Sequence, residues 1–407
     1  MLHKSARSIW RHRDLRLMIS AQAVSAFGDD LAVIVLMLRV YSHGLGPWSV
    51  TGLLLCSALP VALLAPLAGR LVDAVPFRAL AVTSACWQAL FCVALAFATP
   101  LWSIYLLVLA LQTGQVVAGP TWGALLPALA EPDELGRAVS VSQATTRLAA
   151  VAAPAAAGIA VGRIGSGPPL LVDAATFAVL GIAGLAIRTR RHLEPGTLDE
   201  SSPNAQPGFT LRADTLLWPL VVGICALVLV GGITNVVEVF LVRSSLHAGP
   251  ITFGLLAGLF AAALVAGALA VGRNAPDPAR AVRAVVAALV IALALVAGGL
   301  APAIWAFAIA WAVLGVANGS LNADVSTLLL NRAPAAFRGR VLARVNSMVR
   351  SAEIAALAIG GVAGSLLGPR TTFAAGGALM ALVAIALLAR VRPHLTEATP
   401  RTGLVCD

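Results

Sequence analysis

Long apolar segments occupy most of this chain, and they constrain its fold more than any other feature. A helix needs about 20 mainly apolar residues to cross the hydrocarbon core of a bilayer. Only 11% of the residues are charged, against about 25% in soluble domains. The sequence therefore predicts an all-α membrane protein with twelve transmembrane helices, at residues 17–40, 49–70, 79–98, 101–126, 138–162, 168–188, 216–242, 251–273, 280–299, 302–329, 341–366 and 371–391.

The positively charged residues are distributed unevenly among the predicted loops. If the amino terminus lies inside, only Arg39, Arg163, Arg243 and Arg370 of the 28 lysines and arginines fall in outside loops. Cytoplasmic loops carry an excess of Lys and Arg, so we expect a multi-pass protein of the cell membrane with both termini in the cytoplasm. This topology also accounts for the net charge of +10, and we expect no nucleic-acid partner.

Landmarks of the first half of the chain recur in the second half at a constant offset of 203 residues. The recurring pairs are Gly28 and Gly231, Gly46-Pro47 and Gly249-Pro250, Gly69-Arg70 and Gly272-Arg273, Gly136-Arg137 and Gly339-Arg340, and Arg147 and Arg350. The sequence thus predicts two parallel pseudo-repeated six-helix bundles, at 1–188 and 216–407, joined by a cytoplasmic linker at 189–215. Transporters built from such repeats bind their substrates between the repeats, near the middle of the membrane.

Two adjacent carboxylates, Asp29 and Asp30, lie in the middle of the first predicted helix. An acidic residue there costs at least about 2.5 kcal/mol on insertion scales, and acids within membrane helices usually have a function. Gln22, Ser25 and Asp29 follow helical spacing along one face, whereas Asp30 lies about 100° away among apolar residues. We interpret Asp29 as the leading candidate for proton coupling and Asp30 as a second candidate or a partner of a neighbouring helix. A structural role for both acids is the alternative.

Polar stripes recur on three other predicted helices. They consist of Gln112, Gln115 and Trp122 on helix 4, Asn235 and Glu238 on helix 7, and Trp311, Asn318 and Asn322 on helix 10. A few polar groups in an apolar pocket suit an amphiphilic organic substrate, and hydrogen bonding between helices is the alternative. Because all six histidines lie in predicted loops or tails, carboxylates must carry any protons, and Glu238 is the candidate in the second half. Asp173 and Asp324, near helix ends, are interpreted as packing or gate residues.

Two arginines, Arg147 and Arg350, lie deep in predicted helices 5 and 11. Each is about 15 Å along the helix axis from its Gly-Arg landmark, which is too far for easy snorkelling to the cytoplasmic surface. Glu353 lies at i+3 from Arg350 and can pair with it, whereas Arg147 has no local partner. We expect both arginines to line the substrate cavity, with Asp29 or a substrate anion as the partner of Arg147.

The loop after the second predicted helix reads GRLVDAVPFR, from Gly69 to Arg78. It resembles the G-x-L-x-D-x-x-G-R-[RK] signature of the major facilitator superfamily, with Pro76 and Phe77 in place of two signature residues. The signature aspartate and its basic partners gate the cytoplasmic side in that family, and the resemblance assigns this role to Gly69, Arg70, Asp73 and Arg78. The second copy, GRNAPDPARA, is degenerate because Asp277 is out of register by one.

Helix 5 contains the run APAAAG, from Ala153 to Gly158, which resembles the antiporter signature G-P-x-x-G-G of the same family. Small residues let helices approach closely, and ordinary close packing is the alternative explanation. The whole chain is similar to the twelve-helix drug and macrolide exporters of the family, in which helices 1, 4, 7 and 10 line the cavity. The arginine that such exporters often carry in helix 4 is absent, and Gln112 and Gln115 occupy that region.

The resemblance implies proton-coupled export of small amphiphilic organic molecules by alternating access, carried out by a monomer in the lipid bilayer. An uptake symporter, a lysolipid or siderophore translocator of the same fold, and a non-transporting membrane scaffold are the alternatives. The sequence contains no G-x-x-x-x-G-K-[ST] nucleotide-binding loop, metal-ligand cluster or nucleophile triad. We therefore expect no enzymatic activity, cofactor or metal, and an ion or substrate gradient as the source of energy.

Overall fold

The computed structural model describes residues 12–131, 134–188, 217–271, 275–332 and 338–396. These residues form twelve α-helices and no β-strand. The helices are α1 (Arg13–Ser42), α2 (Pro47–Ala74), α3 (Phe77–Phe97), α4 (Leu101–Leu129), α5 (Leu135–Ile164), α6 (Gly167–Ala186), α7 (Leu217–Phe240), α8 (Pro250–Ala270), α9 (Asp277–Leu300), α10 (Ile304–Arg332), α11 (Arg338–Leu367) and α12 (Pro369–Thr396). A π-helical turn, Leu241–Ser245, follows α7.

Eleven of these helices are long and apolar enough to cross a membrane, and α1, which carries Asp29 and Asp30, lies outside that set. Large aliphatic side chains face outward from the helices, and Leu269 and Leu366 are each 79% exposed. An extensive apolar surface is rare on a monomeric soluble protein and is stable against lipid. The predicted all-α, multi-span membrane fold is confirmed.

Proline and glycine mark the beginnings of several helices. Gly46 has a φ of 74° and directly precedes Pro47, the first residue of α2. Proline is favoured in the first turn because the N–H that it lacks would have no helical partner there. Because α8 likewise begins at Pro250, the repeated Gly-Pro landmark corresponds to equivalent helix starts in the two halves.

The chain folds into two compact units. The first contains the described residues up to 188 together with 247–258, and the second contains the described residues 217–246 and 259–396. Helices α1 to α6 therefore belong to the first unit, which also includes the first residues of α8. The predicted linker at 189–215 and the landmark pair Gly272-Arg273 lie outside the residues that the structure describes.

Helices of the two units pack in corresponding pairs. In the first unit, α3 packs on α6, and α1 packs on both α5 and α6. In the second unit, α9 packs on α12, and α7 packs on both α11 and α12. Each pair in the second unit is the pair of the first unit with both helix numbers raised by six, which is the pattern that a duplicated six-helix unit produces.

Aromatic side chains fill the core of each unit. In the first unit, Trp122 is 3% exposed and its ring meets Phe77 edge-on, with the ring centroids 5.2 Å apart. In the second unit, Phe307 stacks on Trp311 at 5.2 Å and meets Phe373 edge-on at 6.2 Å. Aromatic pairs at such distances add about 0.5–1.5 kcal/mol to the stabilisation that burial provides.

Two arginines bind the carboxyl ends of corresponding helices. Arg39 donates hydrogen bonds to the carbonyl oxygens of Leu95, at 2.6 Å, and of Ala98, at the end of α3. Arg370 donates to the carbonyl oxygen of Ala301, at the end of α9, at 2.9 Å. The last carbonyls of a helix lack helical donors and carry partial negative charge, so a cation there is stabilising. Two of the four arginines predicted in outside loops therefore have a structural role.

Candidate functional site

A cavity of about 130 Å³ lies within the first unit. Five helices contribute its polar lining, which consists of Asp29, Ser57, Gln88, Gln112, Gln115 and Asp173. The structure thus brings Asp29 into one cavity with Gln112 and Gln115, the two amides that were predicted to share a cavity with it. Apolar side chains of α1, α2 and α4 complete the walls.

Two amide side chains connect α3 and α4 to Asp29. The amide nitrogen of Gln88 donates to the amide oxygen of Gln115 at 2.6 Å. The amide nitrogen of Gln115 in turn lies 3.5 Å from Oδ2 of Asp29, which is a long hydrogen bond. The amide oxygen of Gln88 is buried and has no hydrogen-bond partner among the described residues. The cavity therefore contains a hydrogen-bond acceptor, the amide oxygen of Gln88, that is unpaired in the described part of the chain. It lies beside a chain of hydrogen bonds that runs from Gln88 through Gln115 to the carboxylate of Asp29.

The sequence did not assign Ser57, Gln88 or Asp173 to this cavity, and Asp173, on α6, is the charged residue among them. The side chain is 1% exposed. Its Oδ1 accepts a hydrogen bond from the Thr176 hydroxyl at 3.2 Å, and its Oδ2 accepts one from the Cys92 thiol at 3.2 Å. Its carboxyl group lies close enough to that of Asp29 for an electrostatic interaction.

Gly28 allows α1 to approach α6 at the level of the two carboxyl groups. A Cβ atom at Gly28 would overlap Oδ1 of Asp173 and Oγ1 of Thr176. The glycine next to Asp29 and the i, i+3 pair of Asp173 and Thr176 were visible in the sequence, but nothing in it showed that these two helix faces meet. From the sequence alone, an acidic residue near a helix end is therefore interpreted as a packing residue, because the helix that it contacts is unknown.

Arg147 on α5 interacts electrostatically with Asp30. The sequence predicted Asp29 or a substrate anion as its partner. Successive residues of a helix point about 100° apart, and α1 packs on α5 as well as on α6. The two adjacent acids of α1 therefore face different helices, with Asp29 beside α6 and Asp30 beside the arginine of α5.

Four predicted cavity residues of the first half do not line this cavity, namely Arg147, Gln22, Ser25 and Trp122. Gln22 is partly exposed, and Ser25 is buried at 6% exposure. Trp122 lies in the hydrophobic core with Met18, Ala81 and Leu180, and its indole N–H has no hydrogen-bond partner in the described part of the chain. Trp122 shares a helix face with Gln115, but it lies about 10 Å further along α4. At that level the helices pack together as the hydrophobic core of the unit, outside the cavity lining.

A larger cavity, of about 580 Å³, lies within the second unit. Its polar lining consists of Thr234, Asn235, Trp311, Asn318, Asn322, Ser326, Asn346 and Glu353, and most of the remaining wall is Leu, Ile, Val and Phe. The amide nitrogen of Asn322 donates to the amide oxygen of Asn318. The indole N–H of Trp311, a residue only 5% exposed, has no partner among the described residues. Four predicted cavity residues, Asn235, Trp311, Asn318 and Asn322, therefore line one cavity.

Two charged residues that were predicted for the second half lie elsewhere. Arg350 does not line this cavity; it is mostly exposed and forms an ion pair with Glu353 at 3.0 Å, as its i+3 spacing allows. Glu353 does line the cavity. Glu238 is buried at 9% exposure, lies outside the cavity lining and precedes the π-helical turn Leu241–Ser245. A π-helical turn is often found at a functional position.

The predicted gate residues are not joined by ion pairs in the described part of the chain. Arg70 and Asp73 are exposed at the end of α2, as is the neighbouring Gly69. Arg78 instead donates to the carbonyl oxygen of Ile187, at the end of α6, at 2.7 Å. The gate role of this signature stays a prediction.

A buried ionic cluster includes Arg280, which belongs to the degenerate second copy of the signature. Asp324 on α10 is 0% exposed and accepts hydrogen bonds from Arg283 at 2.6 Å and from Arg280 at 3.4 Å. Asp277, at the start of α9, accepts a hydrogen bond from Asn331 at 3.1 Å. The sequence suggested a packing or gate role for Asp324, and these contacts between α9 and α10 are compatible with packing.

The small-residue run of α5 makes a very close helix contact within the first unit. A Cβ atom at Gly158 would lie 2.6 Å from the carbonyl oxygen of Pro250 and 2.8 Å from Cα of Gly254. Only glycine permits this approach of α5 to the first residues of α8. In the described residues, no group of three or more His, Cys, Asp or Glu side chains could hold a metal ion.

The chain matches the sequence profile of the Major Facilitator Superfamily over residues 18–298 and 241–404. Its sequence is 23% identical over 391 residues to the uncharacterised MFS-type transporter YfiS of Bacillus subtilis (strain 168), covering 92% of this chain and 93% of that protein. The match extends over nearly the whole of both chains.

Several solved transporter structures share the fold. A POT family transporter in complex with 5-aminolevulinic acid has a TM-score of 0.74 at 13% identity, over 94% of this chain and 97% of that one. The nucleoside transporter NupG has a TM-score of 0.74 at 12% identity, over 93% and 99%. An inward-facing, occupied bacterial homologue of the human lysosomal transporter Spinster has a TM-score of 0.71 at 14% identity, over 94% and 97%. The chain belongs to the Major Facilitator Superfamily and is a multi-span membrane transporter of that type.

Proposed function

We propose that this protein exports small amphiphilic organic molecules in exchange for protons, by alternating access. The observation that carries the proposal is the cavity of about 580 Å³ in the second unit. Binding sites for drug-sized molecules have volumes of about 300–1,000 Å³ and combine apolar walls with a few polar groups. The amides of Asn235 and Asn318 and the indole of Trp311 supply such groups among aliphatic side chains.

The lining of this cavity favours an amphiphile without a strong negative charge. Its charged member is the carboxylate of Glu353, and the nearby Arg350 guanidinium is held in an ion pair outside the lining. A buried polar group that lacks a hydrogen bond is unfavourable by about 1–3 kcal/mol, and the indole N–H of Trp311 is in that position. A substrate with a hydrogen-bond acceptor would satisfy this N–H and would gain affinity from it.

Asp29 supports the proton-coupling part of the proposal. Its carboxylate lines the cavity of the first unit and contacts an amide, Gln115, with no cationic side chain in a described contact with it. A carboxylate without a counter-ion in the cavity of a membrane protein binds a proton more readily than it holds an unneutralised charge. Asp30 and Glu238 stay secondary candidates, because Asp30 faces Arg147 and Glu238 lies outside both cavities.

The direction of transport is proposed from the resemblance of the α5 run around Gly158 to the antiporter signature. The close approach of α5 to α8 at this glycine is compatible with that resemblance. We further propose a monomer in the cell membrane, with both termini in the cytoplasm. Labelling of single cysteines placed in successive loops of intact cells tests this topology, and labelling of the predicted cytoplasmic loops from outside would contradict it.

The proposed function can be tested with purified protein in lipid vesicles. A panel of fluorescent cationic, neutral and anionic amphiphilic dyes is offered with an imposed pH gradient, and dye and proton movements are recorded together. We expect proton movement against cationic or neutral dyes, and we expect Asp29→Asn to abolish it. Glu131→Gln, which removes an exposed carboxylate after α4, is the matched control.

The same measurement separates the alternatives. Protons and solute that move in the same direction would indicate an uptake symporter, a mode for which this fold is equally suited. Transport of lysolipids or siderophores and not of dyes would indicate a translocator. Undiminished coupling in Asp29→Asn would refute the assignment of Asp29, and the absence of any solute movement under all gradients would favour a scaffold.

A further inference from the structure

We infer that Asp29 and Asp173 together form one binding site for a single exchangeable proton, with Asp173 acting as the coupling partner of Asp29. This inference deepens the proposed function and rests on it for its role in transport. The two-carboxyl site itself rests on the geometry of α1, α3, α4 and α6. The proton adds to a carboxylate oxygen of the pair from water and later leaves to water, and no other bond changes.

The first step of the argument is the contact between α1 and α6. These helices pack closely, and Gly28 leaves no room for even a Cβ atom between α1 and the side chains of Asp173 and Thr176. Both Asp29 and Asp173 line the same cavity of about 130 Å³. Their carboxyl groups interact electrostatically. Because α1 and α6 are in close contact at Gly28, these two helices hold the carboxyl groups of Asp29 and Asp173 near each other.

The second step is the inventory of charges around the pair. Asp30 on α1 repels Asp29, and the guanidinium of Arg147 on α5 interacts with Asp30. From α3 the facing titratable group is the Cys92 thiol, and α4 presents only the amides of its two glutamines. In the described part of the chain, no cationic side chain contacts either member of the pair. Two full negative charges would therefore share a buried site without a counter-ion.

Two carboxylates that share such a site cannot both ionise at low cost, so we infer that the pair holds one proton. The donors around the pair are too few for two negative charges. The Thr176 hydroxyl and the Cys92 thiol reach Asp173, but each also lies within hydrogen-bonding distance of a backbone carbonyl oxygen, at 2.7 Å and 3.1 Å. Gln115 donates to Asp29 over a long 3.5 Å. The site thus accommodates one proton and one charge, and binding or release of that proton changes its net charge by one.

Differences in exposure assign different roles to the two acids. Asp29 is partly exposed to the cavity, whereas Asp173 is 1% exposed. Asp29 is the member that can meet water, and Asp173 sets the proton affinity of the site from behind it. The buried amide oxygen of Gln88, which has no partner among the described residues, lies in the same cavity lining and offers an acceptor for a bound water or substrate donor.

Infrared difference spectroscopy tests the site without any need for a substrate. Wild-type protein in lipid vesicles is stepped in pH, and the stretching band of protonated carboxyl groups is recorded. We expect a band equivalent to one proton that is lost or displaced in Asp29→Asn and in Asp173→Asn alike, because each variant breaks the same pair. Glu131→Gln should leave this band unchanged.

Several outcomes would overturn the inference. Two separate bands, each removed by only one variant, would show two independent acids. A spectrum that neither variant alters would show that the pair does not exchange a proton. A band that responds to sodium concentration and not to pH would assign the site to a metal cation. If Asp173→Asn fails to fold, Cys92→Ala removes one donor from Oδ2 of Asp173 and should displace the same band.

A transport measurement in the same vesicles separates this inference from the proposed function. The transported dye should still exchange across the membrane in Asp173→Asn and Asp29→Asn, while the dependence of its movement on the pH gradient is lost in both. A purely structural role for Asp173 would instead reduce exchange and coupling together. If the infrared result holds but no solute moves with protons, the proton site stands and the proposed function fails.

Discussion

The contact at Gly28 leads to a quantitative prediction about stability. In Gly28→Ala, the new methyl group would overlap the carboxylate of Asp173 and the hydroxyl of Thr176. Overpacking of a well-packed core costs about 1–3 kcal/mol, and loss of the Thr176 hydrogen bond to the carboxylate costs about 1.5–3 kcal/mol. Replacement of glycine by alanine within a helix stabilises the folded protein by about 1 kcal/mol. We expect a net destabilisation of about 1.5–5 kcal/mol.

The repeat supplies a matched control for this substitution. Gly231 on α7 is the counterpart of Gly28 in the second half, and a Cβ atom there would meet nothing within 4 Å. Gly231→Ala should therefore keep only the helix-propensity gain, of up to about 1 kcal/mol. Unfolding of the purified variants in mixed micelles, followed by circular dichroism, should show changes of opposite sign in the two proteins.

A double-mutant cycle shows whether the predicted cause is correct. Thr176→Ala removes two of the three atoms that the new methyl group would meet, Oγ1 and Cγ2 of Thr176, so Gly28→Ala should cost less in that background. Directly contacting residues have interaction energies of about 0.5–3 kcal/mol. Equal stability of Gly28→Ala and wild type, or a cost that is unchanged by Thr176→Ala, would refute the contact between α1 and α6 on which the carboxyl pair depends.

Three further predictions concern other contacts. Asp324→Asn removes the buried carboxylate that Arg280 and Arg283 bind. It should lower the free energy of chemical unfolding by about 3–5 kcal/mol. A decrease below about 1 kcal/mol would contradict a buried ionic cluster. Trp311→Phe should weaken equilibrium binding of a transported dye about fivefold through loss of one hydrogen bond, whereas Trp122→Phe, in the core of the first unit, should leave binding unchanged. Arg39→Met should lower stability by about 1.5–3 kcal/mol because it leaves the carbonyl oxygens at the end of α3 without their side-chain donor. The same change at the exposed Arg163 should have little effect. Equal effects of the two substitutions would argue against stabilisation of the end of α3 by Arg39.

Helical phase within a single helix could be read from the sequence, and it predicted that Asp29 and Asp30 of α1 face different surroundings. Asp29 lines a cavity with Gln112 and Gln115, while Asp30 faces another helix. The same reasoning placed Trp122 on the cavity face of α4, but that tryptophan lies in the core. Periodicity gives the angle around a helix axis and contains no information on where along that axis a cavity ends.

The sequence by itself determined the number of helices, the apolar surface and the internal repeat, because lipid imposes a length on every spanning helix and duplication leaves fixed offsets. Only the tertiary structure decided which charged groups are neighbours. Asp29 and Asp173 are 144 positions apart and meet through the gap that Gly28 leaves, and Arg147 lies beside Asp30 and not beside Asp29. The helices of a bundle pack through side chains from distant segments, so contacts between acids, amides and arginines are set by packing across helices and not by spacing within one of them.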